Sequence, residues 1–259
     1  MIHECSSVHP EAIIGQNVTI SAFAVVDKNV VIGDGSYIYP HAVIFDGARI
    51  GKNCRIFPGA VVSGIPQDLK FEGEETICEI GDNTTIRECA TVNRGTAAKG
   101  KTIVGNNCLL MAYSHIAHDC VLKDHVILGN ATQLAGEVEV DDFAILSGGT
   151  LVHQFCRIGK HSMMQGGSRT SKDIPPYIIV GREPLTFSGV NIVGLRRRDF
   201  TIEQIAGIQE VYRILYQSGM NNSAAMKYME DNLPDTPERE EIFRFITSSI
   251  RGIIRGYLE

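Results

Sequence analysis

Residues 104–157 read, in groups of six, VGNNCL LMAYSH IAHDCV LKDHVI LGNATQ LAGEVE VDDFAI LSGGTL VHQFCR. Each group opens on an aliphatic residue, from Val104 through Leu110, Ile116, Leu122, Leu128, Leu134, Val140 and Leu146 to Val152, and Ile158 and Met164 continue the row. The same spacing holds at Ile80, Ile86 and Val92, and from Val8 through Ile14, Ile20, Val26, Ile32, Ile38, Ile44, Ile50 and Ile56 to Val62. An α-helix repeats near 3.6 residues and a strand at 2, so neither alone yields a pure six.

Four residues after the aliphatic comes a small or short side chain, as at Ala24, Ser36, Ala42, Ala60, Thr84, Ala90, Ser114, Thr132, Ala144 and Thr150. Gly, Asn and Asp follow the aliphatic directly, as in Ile32-Gly33-Asp34 and Val104-Gly105-Asn106-Asn107. Such residues accept the tight, sometimes left-handed backbone of a corner. Each hexad therefore reads as one short strand and one turn, with a large and a small side chain pointing inward. Units of that size cannot bury a face alone and must stack, which makes the chain a hexapeptide β-helix. The pattern resembles the hexapeptide-repeat acyltransferase superfamily, whose coils are left-handed and three-sided, with 18 residues per turn. The expected fold is mainly β: a left-handed parallel β-helix over residues 1–190 and a C-terminal α-helical domain over residues 191–259.

The rhythm breaks twice, at residues 63–79 and 95–103, without losing phase. Both breaks read as loops that leave the side of the prism and return to register, and long loops in compact repeat proteins tend to carry function. After Met164 the hexads stop, and residues 170–200 read as an exit segment. Thr201 and Gln204 form a capping box, followed by a stripe at Ile205, Ile208, Val211, Tyr212 and Leu215. A second helix is expected over Ser223–Leu233. A third begins at Thr236-Pro237 and carries Ile242, Phe245, Ile246, Ile250 and Ile253.

Composition narrows the function. The 259 residues are 44% hydrophobic and include 24 Lys and Arg against 30 Asp and Glu, a net charge of −6. A nucleic-acid binder needs a broad basic face, so nucleic acid is not expected as a partner. There is no apolar run of the roughly 20 residues that span a bilayer, nor the charged and apolar segments of a secretory signal, so stable membrane insertion is not expected and the cytoplasm is. Cys54, Cys108, Cys120 and Cys156 occupy the small inward position and act as small hydrophobes. No CxxC pair offers a zinc or disulfide framework.

An 18-residue coil stacks residue i beneath residue i+18 at about 4.8 Å, the spacing of neighbouring strands. His118 then lies under Gly136 and Gly136 under Gln154, with Asp119, Glu137 and Phe155 in the adjacent column and His153 beside. Gly136 has no side chain, so a substrate can approach its backbone and use its N–H as an oxyanion donor. His115 shares the neighbourhood. Neutral histidine suits the removal of a proton from a poorly nucleophilic hydroxyl, and Asp119 is a candidate to orient the imidazole. His125 and His161 also stack, but read as structural.

Longer strings sharpen the resemblance. Gln67-Asp68-Leu69-Lys70, His115-Ile116-Ala117-His118-Asp119-Cys120, Val152-His153-Gln154-Phe155-Cys156, Asp173-Ile174-Pro175-Pro176-Tyr177 and Gly194-Leu195-Arg196-Arg197-Arg198 are similar to the UDP-N-acetylglucosamine O-acyltransferase family of lipid A biosynthesis. The resemblance implies a homotrimer with sites between neighbouring prisms. It implies transfer of an R-3-hydroxyacyl chain from acyl carrier protein to the 3-hydroxyl of UDP-N-acetylglucosamine, with no cofactor beyond the carrier's phosphopantetheine arm and no metal. His118 matches the family's general base and Gly136 its oxyanion-hole glycine. Asp68, Lys70, His115, His153, Gln154 and Asn191 match substrate-contacting positions, Glu137 occupies a further substrate-binding position, Arg197 and Arg198 lie toward the nucleotide or donor end, and Gly166 matches a hydrocarbon ruler.

The resemblance departs at Glu137, where the family carries histidine, and at Val193, where it carries an acid, leaving a 3-amino sugar nucleotide as an alternative acceptor. Three other functions remain as readings. One is an acetyl-coenzyme A-dependent sugar or amine acetyltransferase, the second a zinc lyase of the γ-carbonic anhydrase type, the third a purely structural solenoid.

Overall fold

The computed structural model describes residues 1–256; the last three residues of the expected helical domain, 257–259, lie outside the described residues. The hexads build a three-sided prism. One sheet holds nine strands from Ser7–Val8 to Arg169–Thr170, the second eight from Ile13–Ile14 to Arg157–Ile158. The third begins at Thr19–Ile20 and holds ten. Pairing along the prism is parallel, with Val8 on Val26, Val26 on Ile44 and Ile116 on Leu134. The row of aliphatics points inward and is buried from Ile20 to Met164, and the four inward cysteines are buried with it. Burial lifts those thiols, Cys120 to about 12 and Cys108 and Cys156 to about 11, so they stay protonated and inert. Val8 and Ile14 are only half-buried.

Both insertions leave the phase intact, as expected. Ile80 pairs with Ile50 and Val104 with Ile80. The two coils thus exceed the regular 18 residues by 12 and by 6, each a whole number of hexads. The loops are shorter than expected, since strands Val61–Gly64, Ile77–Ile80 and Lys101–Val104 extend into both breaks.

At the carboxyl end, the exit segment contains a hairpin that the hexads do not announce. Ile178–Gly181 pairs in parallel with Met163–Met164 and antiparallel with Thr186–Val190. A short helix α1 (Ile192–Arg196) follows, then α2 (Ile202–Gln217), α3 (Asn222–Asn232) and α4 (Pro237–Thr247). The Thr201–Gln204 capping box is present, and the expected stripe of α2 is its buried face. Helix α4 ends earlier than its sequence stripe. Ile250 is 98% exposed, and Ile253 forms a bridge to Asp173. Asp173 is itself buried, where it accepts from the Arg157 amide and the Ser249 hydroxyl, tying the tail to the last coil. No helix among the described residues is long and apolar enough to cross a membrane.

The edge between the second and third sheets carries a column of rings. Centroids lie 4.5 Å apart for His125 and Phe143, 4.9 Å for Phe143 and His161, and 5.7 Å for His161 and Tyr177, the stacked spacing of aromatic pairs. His161 is 8% exposed and its Nδ1 has no partner among the described residues. Burial, assisted by Arg198 and Lys160, lowers its pKa to about 4, so the imidazole is neutral in the fold. The unfolded chain takes up that proton first. Stability contributed by the neutral ring is therefore complete above pH 6.5 and is lost as pH falls through the window down to about 4. The loss is on the order of 1–3 kcal/mol. In His161→Phe the melting temperature should vary less across that window than in the parent chain; an unchanged acid dependence would refute the assignment.

Candidate active site

One cleft of about 1020 Å³ brings His115, His118, Gly136, His153 and Gln154 together, with Gln67 at its edge. His118, Gly136 and Gln154 occupy the same corner of three successive coils, between the first and second sheets. The coil register is direct: the Glu137 amide donates to the His118 carbonyl and the Phe155 amide to the Gly136 carbonyl. Glycine is required in the middle rung by close approach. A Cβ built on Gly136 would lie 2.7 Å from both Cε1 and Nε2 of His118. The Gly136 amide itself donates to no group among the described residues, which leaves it available to a bound oxygen.

Asp119 does turn toward His118. Its carboxylate Oδ2 lies 2.8 Å from His118 Nδ1 and is fully buried, so Nδ1 carries the hydrogen and Nε2 presents a lone pair. Asp119 adopts the left-handed turn conformation at φ 60°, as do Glu137 and Phe155 above it. The second insertion surrounds this carboxylate: Thr96 donates its amide (3.0 and 3.1 Å) and its hydroxyl (2.6 Å), and Lys99 its amide (3.3 Å). The first insertion brings Asp68 Oδ2 to 3.8 Å from His118 Nε2, while Asp68 Oδ1 accepts from the Lys70 amide.

The neighbouring histidines are held differently. His115 Nδ1 lies 2.7 Å from the Thr91 hydroxyl, and burial lowers its pKa, so it stays neutral. His153 is exposed, with Nδ1 3.0 Å from the Arg251 guanidinium. Arg169, Lys172 and Arg255 give the far lip of the cleft positive charge, partly offset by Glu183, which pairs with Arg169 at 3.0 Å. Sequence reasoning had not singled out Thr91, Thr96, Arg251 or these lip residues. Most lie off the hexad phase or beyond its end; Thr91 occupies an ordinary outward strand position that does not differ from its neighbours.

Several expected site residues lie outside this cleft. Glu137 pairs with Lys99 (3.9 Å) on the side of the second insertion. Gly166 sits on the edge between the third and first sheets, against Gly148. Asn191 is 3% exposed and caps α1, accepting from the Gly194 amide while its Nδ2 donates to the His161 carbonyl. Arg198 lies over the Phe143 ring and donates to the Phe143 carbonyl, at the edge between the second and third sheets; Arg197 is exposed nearby. The expected residues thus occupy all three edges of one prism.

Similarity to known proteins extends over the whole architecture. Residues 173–254 match the family model described as UDP-N-acetylglucosamine O-acyltransferase, domain 2, and residues 11–46, 29–64 and 101–136 match the bacterial transferase hexapeptide model. The chain is 44% identical over 257 residues, 98% of each protein, to an acyl-[acyl-carrier-protein]–UDP-N-acetylglucosamine O-acyltransferase of Xylella fastidiosa. It is 57% identical to a UDP-N-acetylglucosamine acyltransferase from Bacteroides fragilis of known structure, with a TM-score of 0.97 over 98% of this chain and 100% of that one. The Francisella novicida UDP-N-acetylglucosamine acyltransferase superposes with a TM-score of 0.95 at 42% identity, covering 98% and 94%.

Proposed function

The chain belongs to the UDP-N-acetylglucosamine O-acyltransferase family, and on that premise we propose that it transfers an R-3-hydroxyacyl chain from acyl carrier protein to the 3-hydroxyl of UDP-N-acetylglucosamine, with His118 as general base and the Gly136 amide as oxyanion donor. That reaction is the first step of lipid A biosynthesis. The observation that carries the reading is the direct stack of an Asp119-supported imidazole beneath a bare backbone amide in one cleft.

The steps balance without a cofactor. His118 Nε2 accepts the proton of the sugar hydroxyl as its oxygen attacks the thioester carbonyl. The tetrahedral oxyanion leans on the Gly136 N–H. Collapse breaks the carbon–sulfur bond, and the departing thiol takes the proton back from the imidazolium. Asp119 keeps Nδ1–H in place and favours the imidazolium that forms between the two transfers. A half-buried, neutral His115 at the same wall can hydrogen-bond a sugar oxygen without adding charge. The basic lip of Arg169, Lys172 and Arg255 suits the phosphate of the donor arm.

Residues on the other two edges fit the same reading if copies of the chain associate side by side. Gly166, Arg197 and Arg198 then belong to the face that a neighbouring prism brings to the cleft, as a homotrimer with intersubunit sites requires, with Asn191 buried behind it as the cap of α1. The purified chain incubated with UDP-N-acetylglucosamine and a 3-hydroxyacyl carrier protein should yield a product heavier than the acceptor by the hydroxyacyl group. Acetyl-coenzyme A should give none. Acetylation as the only product would overturn the donor assignment, and acylation only of a 3-amino sugar nucleotide would overturn the acceptor.

A further inference from the structure

The Asp119 carboxylate is enclosed by a segment for which the repeat has no need. Residues 94–100 leave the prism, and their first turn folds over this one side chain. Thr96 contributes both an amide and a hydroxyl, and the direction of the hydroxyl is fixed. The Ala98 amide donates to Thr96 Oγ1 at 3.2 Å, leaving the hydroxyl hydrogen for Asp119 Oδ2 at 2.6 Å. The same Oδ2 faces His118 Nδ1 at 2.8 Å. From the other side, the Asp119 amide donates to the Thr102 hydroxyl at 2.8 Å. The turn is braced by the first insertion, where the Thr76 hydroxyl donates to the Gly95 carbonyl at 2.6 Å and Glu74 accepts from the Ala97 amide at 2.9 Å. Gly95 is packed so closely that an added Cβ would clash with the Lys101 backbone nitrogen.

We propose that Thr96 is a positioning residue for the general base: its oriented hydroxyl holds the Asp119 carboxylate against His118 Nδ1 and sets how much negative charge that carboxylate lends to the imidazolium. The inference rests on His118 being the base. Thr96 is 7% exposed and does not line the cleft, so its influence on chemistry passes through Asp119. An oxygen that accepts a hydroxyl, one amide and the imidazole hydrogen has its charge spread among them. Removing the hydroxyl donor returns charge to the contact with His118 and loosens its geometry. The base then becomes harder to deprotonate, and its alignment with the acceptor hydroxyl suffers.

Thr96→Val keeps the shape and deletes the donor, and Thr96→Ser restores the donor while deleting the methyl. Thr96→Val should lower kcat by about 10–100-fold, a fraction of the roughly 10²–10⁴-fold that a general base supplies. KM for UDP-N-acetylglucosamine should stay within about twofold. The acid limb of kcat/KM should move to higher pH, and Thr96→Ser should recover both rate and limb.

The other charged and titratable groups around His118 are Asp68 on the first insertion, Glu137 paired with Lys99, and His115 and His153 along the cleft. None is altered by either substitution. Parental kcat and an unmoved limb in Thr96→Val would overturn the proposal, as would equal impairment of the valine and serine variants. Should Thr96→Val fail to fold, as judged by its melting curve, the His118 Nδ1 proton resonance decides. It should have the parental shift in Thr96→Ser, and a displaced signal there would refute the role. Loss of the limb in His118→Ala tests the base itself, so the two failures are distinguishable.

Discussion

His118→Ala is expected to lower kcat for acyl transfer by at least about a hundredfold, with the melting temperature within a few degrees of the parent. The size follows from the chemistry. At neutral pH a sugar hydroxyl holds its proton tightly, and only a base within hydrogen-bond reach can take it during attack. Among the groups of this cleft, His118 alone combines an imidazole with a carboxylate on its far nitrogen. His115 has a hydroxyl there, and His153 a guanidinium. The fold should tolerate the change because the ring lies in a cleft outside the aliphatic core. Full activity in a folded His118→Ala chain would leave the proposed mechanism without its base and would favour a structural or differently based function.

Gly136→Ala is expected to be nearly as damaging, although it adds one methyl group and removes nothing. The new Cβ would lie 2.7 Å from two atoms of the His118 ring, and the imidazole must swing away from its seat over Asp119. The methyl would also stand between the substrate and the Gly136 amide. Loss of one oxyanion donor costs about 10²–10³ in kcat, and displacement of the base compounds it. Gly207 supplies the control. It sits in helix α2 with open space where a Cβ would go, so Gly207→Ala should leave kcat unchanged and add up to about 1 kcal/mol of stability. A Gly136→Ala enzyme that turns over normally would show that the imidazole and the amide do not act at one spot.

The prism was legible because its packing repeats. Every inward aliphatic meets the same neighbours one coil above and below, so a single rule recurs from Ile20 to Met164. The register of His118, Gly136 and Gln154 followed from the same rule, since corner residues inherit the spacing of the strands they join. What the repeat does not govern was harder to read. Thr96 lies off phase, on a loop whose path is decided by Thr76, Glu74 and Asp119 far along the chain. The hairpin at Ile178–Gly181 and Thr186–Val190 closes the third sheet by antiparallel pairing, a choice made by the exposed edge it meets and invisible in a local apolar run. Asn191 stands directly before a short helix, and its capping of α1 follows from ordinary N-cap chemistry that the family resemblance had overshadowed. The stripe through Ile246, Ile250 and Ile253 suggested a longer α4. The Ser248-Ser249 step ends the helix, and the tail crosses to Asp173 instead.

The two ends of the prism are not equivalent. Val8 and Ile14 stay half-wet at one mouth, whereas a hairpin and four helices plug the other. Each coil leans only on its neighbours, so fraying starts at the half-wet rungs and must erode several more before it reaches the machinery. Rungs could be added or shaved there like the foot of a ladder, and the working rung would keep its place.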